Sequence, residues 1–380
     1  MNHDLRTKLA TVIVASYCVF VPYLVLGQAH STPTGEGFSQ KFKAEGPQNA
    51  QSCSGCHAVP TLGGSSKVAV MRMGHRVAGH YVPNGRDGTL HVLSDTLGHN
   101  DPKHSIGLRV VLNILGEGYI EAVPDQEFRS ISAAQVKESH GKIHGKLTQV
   151  TLLERRDSRK EMGHFGWKAQ HASLLSASAD ALHSELGVPN HYFSDASMTI
   201  RHSEHSENGS AADLEKLNEM VRFLRASEPI APDSELSVTE SARAGSKLFD
   251  QVGCSICHVR TLKTARAGSK MIGGTAIVSE QLGSKEIHPF SDYLLHDIGT
   301  GDGIIQNIRP QDYDEDTANK FRTAPLWGVR FRSWMMHDGK SVTYHQAIMR
   351  HAGEASDVIQ RYERLTPIEK EDLRQFLDSL

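Results

Sequence analysis

The sequence is poor in several features that mark other large classes of protein. It has no long run of lysine or arginine, and its 41 basic and 44 acidic side chains give a formal net charge of −3. A surface for binding nucleic acid is therefore not expected. Cysteine is also scarce, because the 380 residues contain five and four of these lie in two close pairs. These pairs need a specific explanation.

A single apolar block near the start of the chain predicts export. It runs from Leu9 to Leu26, follows Arg6 and Lys8, and is followed directly by small residues. This order is typical of a secretory signal peptide, here residues 1–29, and it predicts a periplasmic or otherwise exported protein. A membrane anchor is the alternative, since about 18 apolar residues can just span a bilayer. Pro22 interrupts the block and favours cleavage, after which the protein would not be integral to the membrane.

The length that remains after cleavage predicts two domains. About 350 residues are more than one hydrophobic core usually serves. A proline-containing run at residues 228–236 separates the two cysteine pairs and is the predicted boundary. The expected domains are residues 30–230 and residues 231–380.

Both cysteine pairs occur in the pattern Cys-x-x-Cys-His, at residues 53–57 and residues 254–258. Two such pairs could hold a structural zinc ion, and one alone could form a redox disulfide, but neither reading explains the histidine. Covalent haem of the c type requires this order, with two thiols for the vinyl groups and an imidazole for the iron. The predicted haem-attachment and proximal residues are Cys53, Cys56, His57, Cys254, Cys257 and His258.

The sequence around the motifs predicts helices. Ser237 and Glu240 have the spacing of a capping box before the second motif, and Thr366 and Glu369 repeat that spacing near the C-terminus. Apolar residues after Glu369 then recur at helical intervals. Asn-Gly and Asp-Gly signals at residues 84–88 predict turns between short strands. The expected fold is mainly α, with two cytochrome c-like haem domains, the first of which contains short β-hairpins.

Four further segments carry a family resemblance. They are FGWKAQHASL (165–174), FRTAPLWGV (321–329), MHDGKS (336–341) and HAGEA (351–355). Together they resemble the di-haem oxidoreductase family once labelled thiol oxidoreductases, which is similar to the di-haem bacterial cytochrome c peroxidases. The resemblance covers the chain from about Cys53 to Leu380. Thiol chemistry has little support, because haem attachment would consume every cysteine outside the leader.

The resemblance implies a direction of electron flow and two functional side chains. A small redox protein would reduce the C-terminal haem, which passes electrons to an N-terminal haem that reduces an oxidant such as peroxide. Trp167 would lie between the haems, and Glu185 would move protons. The alternatives are that Trp167 is a core aromatic residue and that Glu185 is an exposed residue at a helix end. The spacing between the two is two residues shorter than in the peroxidases.

The resemblance also implies ligands on the far side of each iron. His351 lies where the peroxidases place a distal methionine, with Met349 as the alternative, and histidine in that place would lower the potential of the second haem. For the first haem, His75 is the nearest match by spacing, the alternatives are Met71, Met73 and His80, and the iron could equally be five-coordinate. Arg109 and Arg322 would bind haem propionates or else lie at the surface.

Two expectations stay open in the sequence. The resemblance admits a calcium ion between the domains. A second function class is also compatible with the motifs, namely a pure electron-transfer cytochrome in which both irons are six-coordinate and no catalysis occurs.

Overall fold

The computed structural model describes part of the chain, and the structural statements below concern that part. The described residues are 53–66, 68–77, 80–83, 90–91, 104–185, 190–193 and 211–380. The predicted signal peptide and the turn signals at residues 84–88 lie outside them. Within the described residues, no helix has the length and apolar character needed to cross a membrane.

Helices are the longest elements of the described chain. They are α1 (Cys53–Cys56), α2 (Glu117–Glu121), α3 (Asp125–Glu138), α4 (Leu174–Ser184), α5 (Ala211–Ala226), α6 (Glu240–Val252), α7 (Tyr344–Met349), α8 (Ser356–Glu363) and α9 (Pro367–Asp378). Several 3₁₀ turns connect them. The predicted mainly α fold is therefore confirmed.

The strands are short and form small antiparallel sheets. They are β1 (Ala69–Val77), β2 (His80–Pro83), β3 (Leu90–His91), β4 (His104–Val110), β5 (Gln149–Thr151), β6 (Lys160–Met162), β7 (Leu262–Lys263), β8 (Lys270–Met271), β9 (Ala276–Ile277), β10 (Glu286–Ile287), β11 (Leu295–His296) and β12 (Phe321–Arg322). In the largest sheet, β1 pairs with β2, β3 and β4, with the β1–β4 register running from Ala69 opposite Val110 to His75 opposite His104. The predicted β-structure in the first part of the chain is thus present.

The two predicted helix starts have different outcomes. At α9, the Thr366 hydroxyl accepts from the Glu369 N–H, and the Glu369 carboxylate accepts from the Thr366 N–H, so the capping box is confirmed. At α6 the prediction of Ser237 is wrong. Ser237 lies in a 3₁₀ turn, and Thr239 caps the helix by accepting from the Ala242 N–H. The 3₁₀ turn is the reason, because it moves the last non-helical residue two positions along the chain.

The apolar faces of the helices build two main cores. An apolar stripe on α5 is buried at Leu217, Val221 and Leu224, in a core shared with α3 and α4. A second core joins α6, α8 and α9. The two helices α6 and α9 cross so closely that a Cβ at Gly245 would lie 2.0 Å from the Asp372 carbonyl oxygen, so the crossing requires glycine.

All described residues belong to one compact unit. The predicted boundary segment is packed, since Arg330 donates to the Ala231 carbonyl oxygen and the Asp233 N–H donates to the Ser379 carbonyl oxygen. The division into domains at residues 230 and 231 stays a prediction.

Candidate functional site

The second cysteine motif lies on the wall of a cavity. Helix α6 ends at Gly253, whose φ of 94° suits glycine, and the chain then forms a 3₁₀ turn at Cys254–Ile256. This turn brings Cys254, Cys257 and His258 to one face, and all three line the cavity. The empty space, together with its open mouth, is about 1320 Å³. Apolar side chains of α6, α8 and α9 form much of the remaining wall, as a flat hydrophobic prosthetic group requires.

Two histidines in this cavity have one ring nitrogen bound to the backbone. The Nδ1 of His258 lies 3.0 Å from the Phe290 carbonyl oxygen, and the Nδ1 of His351 lies 2.8 Å from the Ala347 carbonyl oxygen. A carbonyl oxygen only accepts, so each Nδ1 carries the proton and each Nε2 keeps its lone pair. Burial lowers the pKa of His258 to about 4 and also lowers the pKa of His351. Both rings are therefore neutral and able to bind a metal.

The alternative distal ligand does not share this position. Met349 is 37% exposed, whereas the methionines among the described residues lining the cavity are Met335 and Met336. His351 is thus the predicted residue that the structure brings to the same cavity as His258. The role of His351 as an iron ligand stays a prediction.

Two buried guanidinium groups also line the cavity. Arg322 donates from Nε to the Gly166 carbonyl oxygen and lies 4.8 Å above the Tyr293 ring, but its Nη1 has no hydrogen-bond partner among the described residues. Burial and the neighbouring Arg322 lower the pKa of Arg332 to about 10. The Nη2 of Arg322 lies 3.8 Å from an oxygen of the buried Glu117 carboxylate, and Arg332 donates from Nη2 to the Pro325 carbonyl oxygen at 3.1 Å. A haem propionate would supply the acceptor that Nη1 of Arg322 lacks among these residues. Sequence reasoning missed Arg332, which no motif distinguishes.

Arg109, the other predicted propionate contact, is engaged elsewhere. Its Nη1 lies 2.5 Å from an Asp302 carboxylate oxygen, its Nε donates to Gln306 at 2.9 Å, and its guanidinium lies 4.8 Å from the Phe321 ring centroid. The contact of Arg109 with a haem stays a prediction.

Trp167 lies on the cavity wall and reaches toward the first part of the chain. Its Nε1 donates to the carbonyl oxygen of Val110, the last residue of β4, at 2.7 Å. Its ring meets Phe321 and His337 edge to face, with centroids 6.4 and 6.3 Å away. Strand β4 pairs with β1, which begins soon after the first cysteine motif. The residue therefore packs in the core and also spans the space between the second cavity and the first sheet.

The first cysteine motif occupies the short helix α1 and the residue after it. Burial, and then the nearby Glu185 carboxylate, raise the pKa of Cys53 to about 11 and that of Cys56 to about 12. Burial lowers the pKa of His57 to about 4, so its imidazole is neutral. Glu185 is consequently close enough to act electrostatically on both thiols of the motif.

Glu185 lies at the C-terminal cap of α4, and its side chain is 26% exposed. Burial raises its pKa, while the Arg72 guanidinium, with Nη2 3.8 Å from the carboxylate, acts in the opposite direction. On the same helix, Asp180 lies 3.2 Å from Nε2 of His171, and its pKa is lowered to about 2 by this partner against the effect of burial. Sequence reasoning missed Arg72 and Asp180.

Two predicted features remain untested. His75 lies in β1, and its side chain is outside the described part of the structure. Among the described residues, Cys257, Asp292 and His296 place potential ligand atoms within 4.8 Å of one another. Calcium prefers oxygen ligands, so this group does not resemble a calcium site. Calcium between the domains stays a prediction.

Comparison with known proteins identifies the family. Residues 77–380 match the family model described as "Di-haem oxidoreductase, putative peroxidase". This interval contains the second Cys-x-x-Cys-His motif and begins after the first. No curated protein matched.

Two solved structures are similar at low identity. One is the hydrazine synthase of Kuenenia stuttgartiensis, with 16% identity, a TM-score of 0.43 and coverage of 99% of this chain and 100% of that one. The other is a MauG-like protein associated with microbial copper homeostasis, with 23% identity and a TM-score of 0.28. That match covers 46% of this chain and 55% of the other.

Proposed function

Because this chain belongs to the di-haem oxidoreductase family, we propose that it is an exported peroxidase with two covalently attached c-type haems. The observation that carries the proposal is the single cavity that contains two motif thiols, two neutral histidines and two buried guanidinium groups. When bound, the haems would supply one-electron transfer and the reduction of peroxide, which takes up two electrons and two protons to form two waters.

The second site, around Cys254 and Cys257, has the residues needed to hold a haem. Cys254 and Cys257 would attach the haem. His258 and His351, which lie on different segments of the chain, would each present Nε2 to it. Arg322 and Arg332 would pair with the propionates. Ligation by both histidines would leave no position for a substrate and would lower the reduction potential relative to methionine ligation. This site would receive electrons from a small redox protein.

The first site is suited to proton transfer. Cys53, Cys56 and His57 would hold the group, and Glu185 would act as the general acid and base. Its raised pKa places the carboxyl group closer to neutral pH, where it can both accept and release a proton. Arg72 would keep the carboxylate oriented. Trp167, in contact with β4 and with the second cavity, would lie on the electron path between the two sites.

The proposal is tested by steady-state turnover of hydrogen peroxide with a reduced small cytochrome as donor. Electron paramagnetic resonance of the oxidised protein, before and after partial reduction, should show one low-spin haem and one haem that opens to ligands. The pure electron-transfer function predicts two low-spin haems that do not bind cyanide or carbon monoxide in either state. Absence of turnover by a fully haem-loaded, pre-reduced sample would contradict the peroxidase assignment.

A further inference from the structure

A buried histidine beside the second motif is bound on both sides by carboxylates. His296 closes strand β11 and is 2% exposed. Its Nε2 lies 2.8 Å from an Asp292 oxygen, and its Nδ1 lies 2.8 Å from a Glu354 oxygen. Ionised carboxylates only accept hydrogen bonds, so both ring nitrogens donate and the ring is an imidazolium. The three residues form two charge-assisted hydrogen bonds in a region with little water, where such bonds are strong.

The Asp292 end of this group is attached to the proximal side of the second site. The Asp292 N–H donates to the Cys257 carbonyl oxygen at 2.9 Å, and Asp292 follows two residues after Phe290, whose carbonyl oxygen binds Nδ1 of His258. The Sγ of Cys257 is itself 4.0 Å from Nδ1 of His296. A shift of Asp292 would therefore move the segment that orients the proximal histidine.

The Glu354 end is attached to the distal side. Glu354 follows three residues after His351, and its carboxylate accepts from the backbone N–H groups of Asp297 and His144, both at 3.0 Å. The Ala352 N–H donates to the Ile298 carbonyl oxygen at 2.8 Å. The loop that carries His351 is thus fastened to the same strand region that contains His296.

We propose that His296 is a positioning residue that ties the proximal segment of the second haem site to its distal segment through Asp292 and Glu354. The inference rests on the proposed function, because it takes His258 and His351 as the two ligands. Without this tie, His351 could move away from the second iron and open it to oxidant. A site suited to electron transfer would then react directly with peroxide.

The test compares three single variants of the holoprotein. His296→Gln removes the imidazolium bridge, and Glu354→Gln removes its distal anion while retaining His296 and Asp292. His288→Gln is the matched control, since His288 precedes the same strand, is exposed and contacts Thr261. We expect a new high-spin signal and carbon monoxide binding at a second haem in the first two variants, and a wild-type spectrum in His288→Gln.

The outcomes separate this inference from the proposed function. If both bridge variants carry wild-type haem and retain the wild-type low-spin signal of the second haem, the positioning role of His296 is overturned and the proposed function stands. If the wild-type second haem is not low spin, the ligand assignment and the inference both fail. Should His296→Gln yield no holoprotein, the spectrum of Glu354→Gln decides the inference, with a high-spin fraction supporting it and an unchanged spectrum overturning it.

Discussion

Beside Cys257, the charged side chains of Asp292, His296 and Glu354 pair at hydrogen-bond distance, with both contacts at 2.8 Å. Around Cys53 and Cys56, Glu185 acts on both thiols, and its ion pair with Arg72 is longer, at 3.8 Å. The same five-residue motif is therefore set in two different electrostatic environments.

Under the proposed function, this difference suits one motif to two tasks. Electron transfer benefits from ligands that do not move between oxidation states, and the second site supplies histidines fixed by backbone carbonyls. Proton transfer needs a group whose pKa lies within reach of the working pH, and the first site supplies a partly buried carboxyl group. Each prediction below tests this difference between the two sites or the part of the fold that supports it.

The largest effect is expected from removing either pair of attachment cysteines. Cys53→Ser with Cys56→Ser, and Cys254→Ser with Cys257→Ser, should each halve the covalent haem in an alkaline pyridine spectrum and abolish peroxide turnover. The contrast predicts that the first double variant binds little carbon monoxide, because two histidines are the proposed ligands of its remaining haem. The second double variant should bind carbon monoxide readily. Equal carbon monoxide binding by the two double variants would contradict the proposed difference between the sites.

Replacement of Glu185, the proposed proton-transfer group, should have the next largest effect. Glu185→Gln should lower the rate of peroxide turnover by about 10²- to 10⁴-fold. In the wild type, the rate should fall as the pH drops through the raised pKa of Glu185, because the base becomes protonated, and this acid limb should vanish in the variant.

Glu154→Gln is the control for this substitution. Burial also raises the pKa of Glu154, but its side chain contacts Ser173, not the first motif. The rate and the pH profile of this variant should stay close to those of the wild type. A Glu185→Gln protein with an unchanged profile would instead support the exposed helix-end reading.

Lys168, which follows Trp167, should matter for stability. Its ammonium donates to the carbonyl oxygens of Thr317, Ala318 and Lys320 at 3.0, 2.9 and 2.7 Å. Lys168→Met leaves these acceptors without their donor and should lower the free energy of unfolding by about 2–3 kcal/mol in urea titrations. Lys142→Met, at an exposed ion pair, should have little effect. A stable Lys168→Met protein would show that water replaces the ammonium.

The smallest effect concerns the helix that leads into the second motif. Thr239→Ala removes the observed N-cap of α6 and should cost about 1 kcal/mol of stability, whereas Ser237→Ala should cost much less. Thermal unfolding of the two variants measures the difference. A larger loss of stability in Ser237→Ala than in Thr239→Ala would instead support Ser237 as the N-cap.

Local patterns were the dependable part of the sequence reasoning. The Thr366 capping box and the apolar stripe at Leu373, Phe376 and Leu377 involve residues within a few positions of one another, so backbone geometry brings them together. The wrong prediction at Ser237 also concerns residues only a few positions apart. Two candidate caps lay two residues apart, and only the 3₁₀ turn decided between them.

The family resemblance, unlike local pattern, also predicted functional residues that lie far apart in the sequence. It placed His351 and Trp167 at positions that line the second cavity, and it placed Glu185 near the first motif despite the shorter spacing. It gave no signal for Arg332 or Asp180, because their partners come from other segments and no spacing rule connects them.

By itself, the sequence determined the two Cys-x-x-Cys-His motifs, the helical character of the chain and the family, because each of these is written in short stretches whose chemistry depends on neighbouring residues. The tertiary structure alone decided which side chains surround each motif. His258 and His351 share a cavity, and His296 connects Asp292 to Glu354, only because strand β11 and the loop after α7 pack together. The burial and charge pairing that tune these groups arise from that packing, which no local pattern encodes.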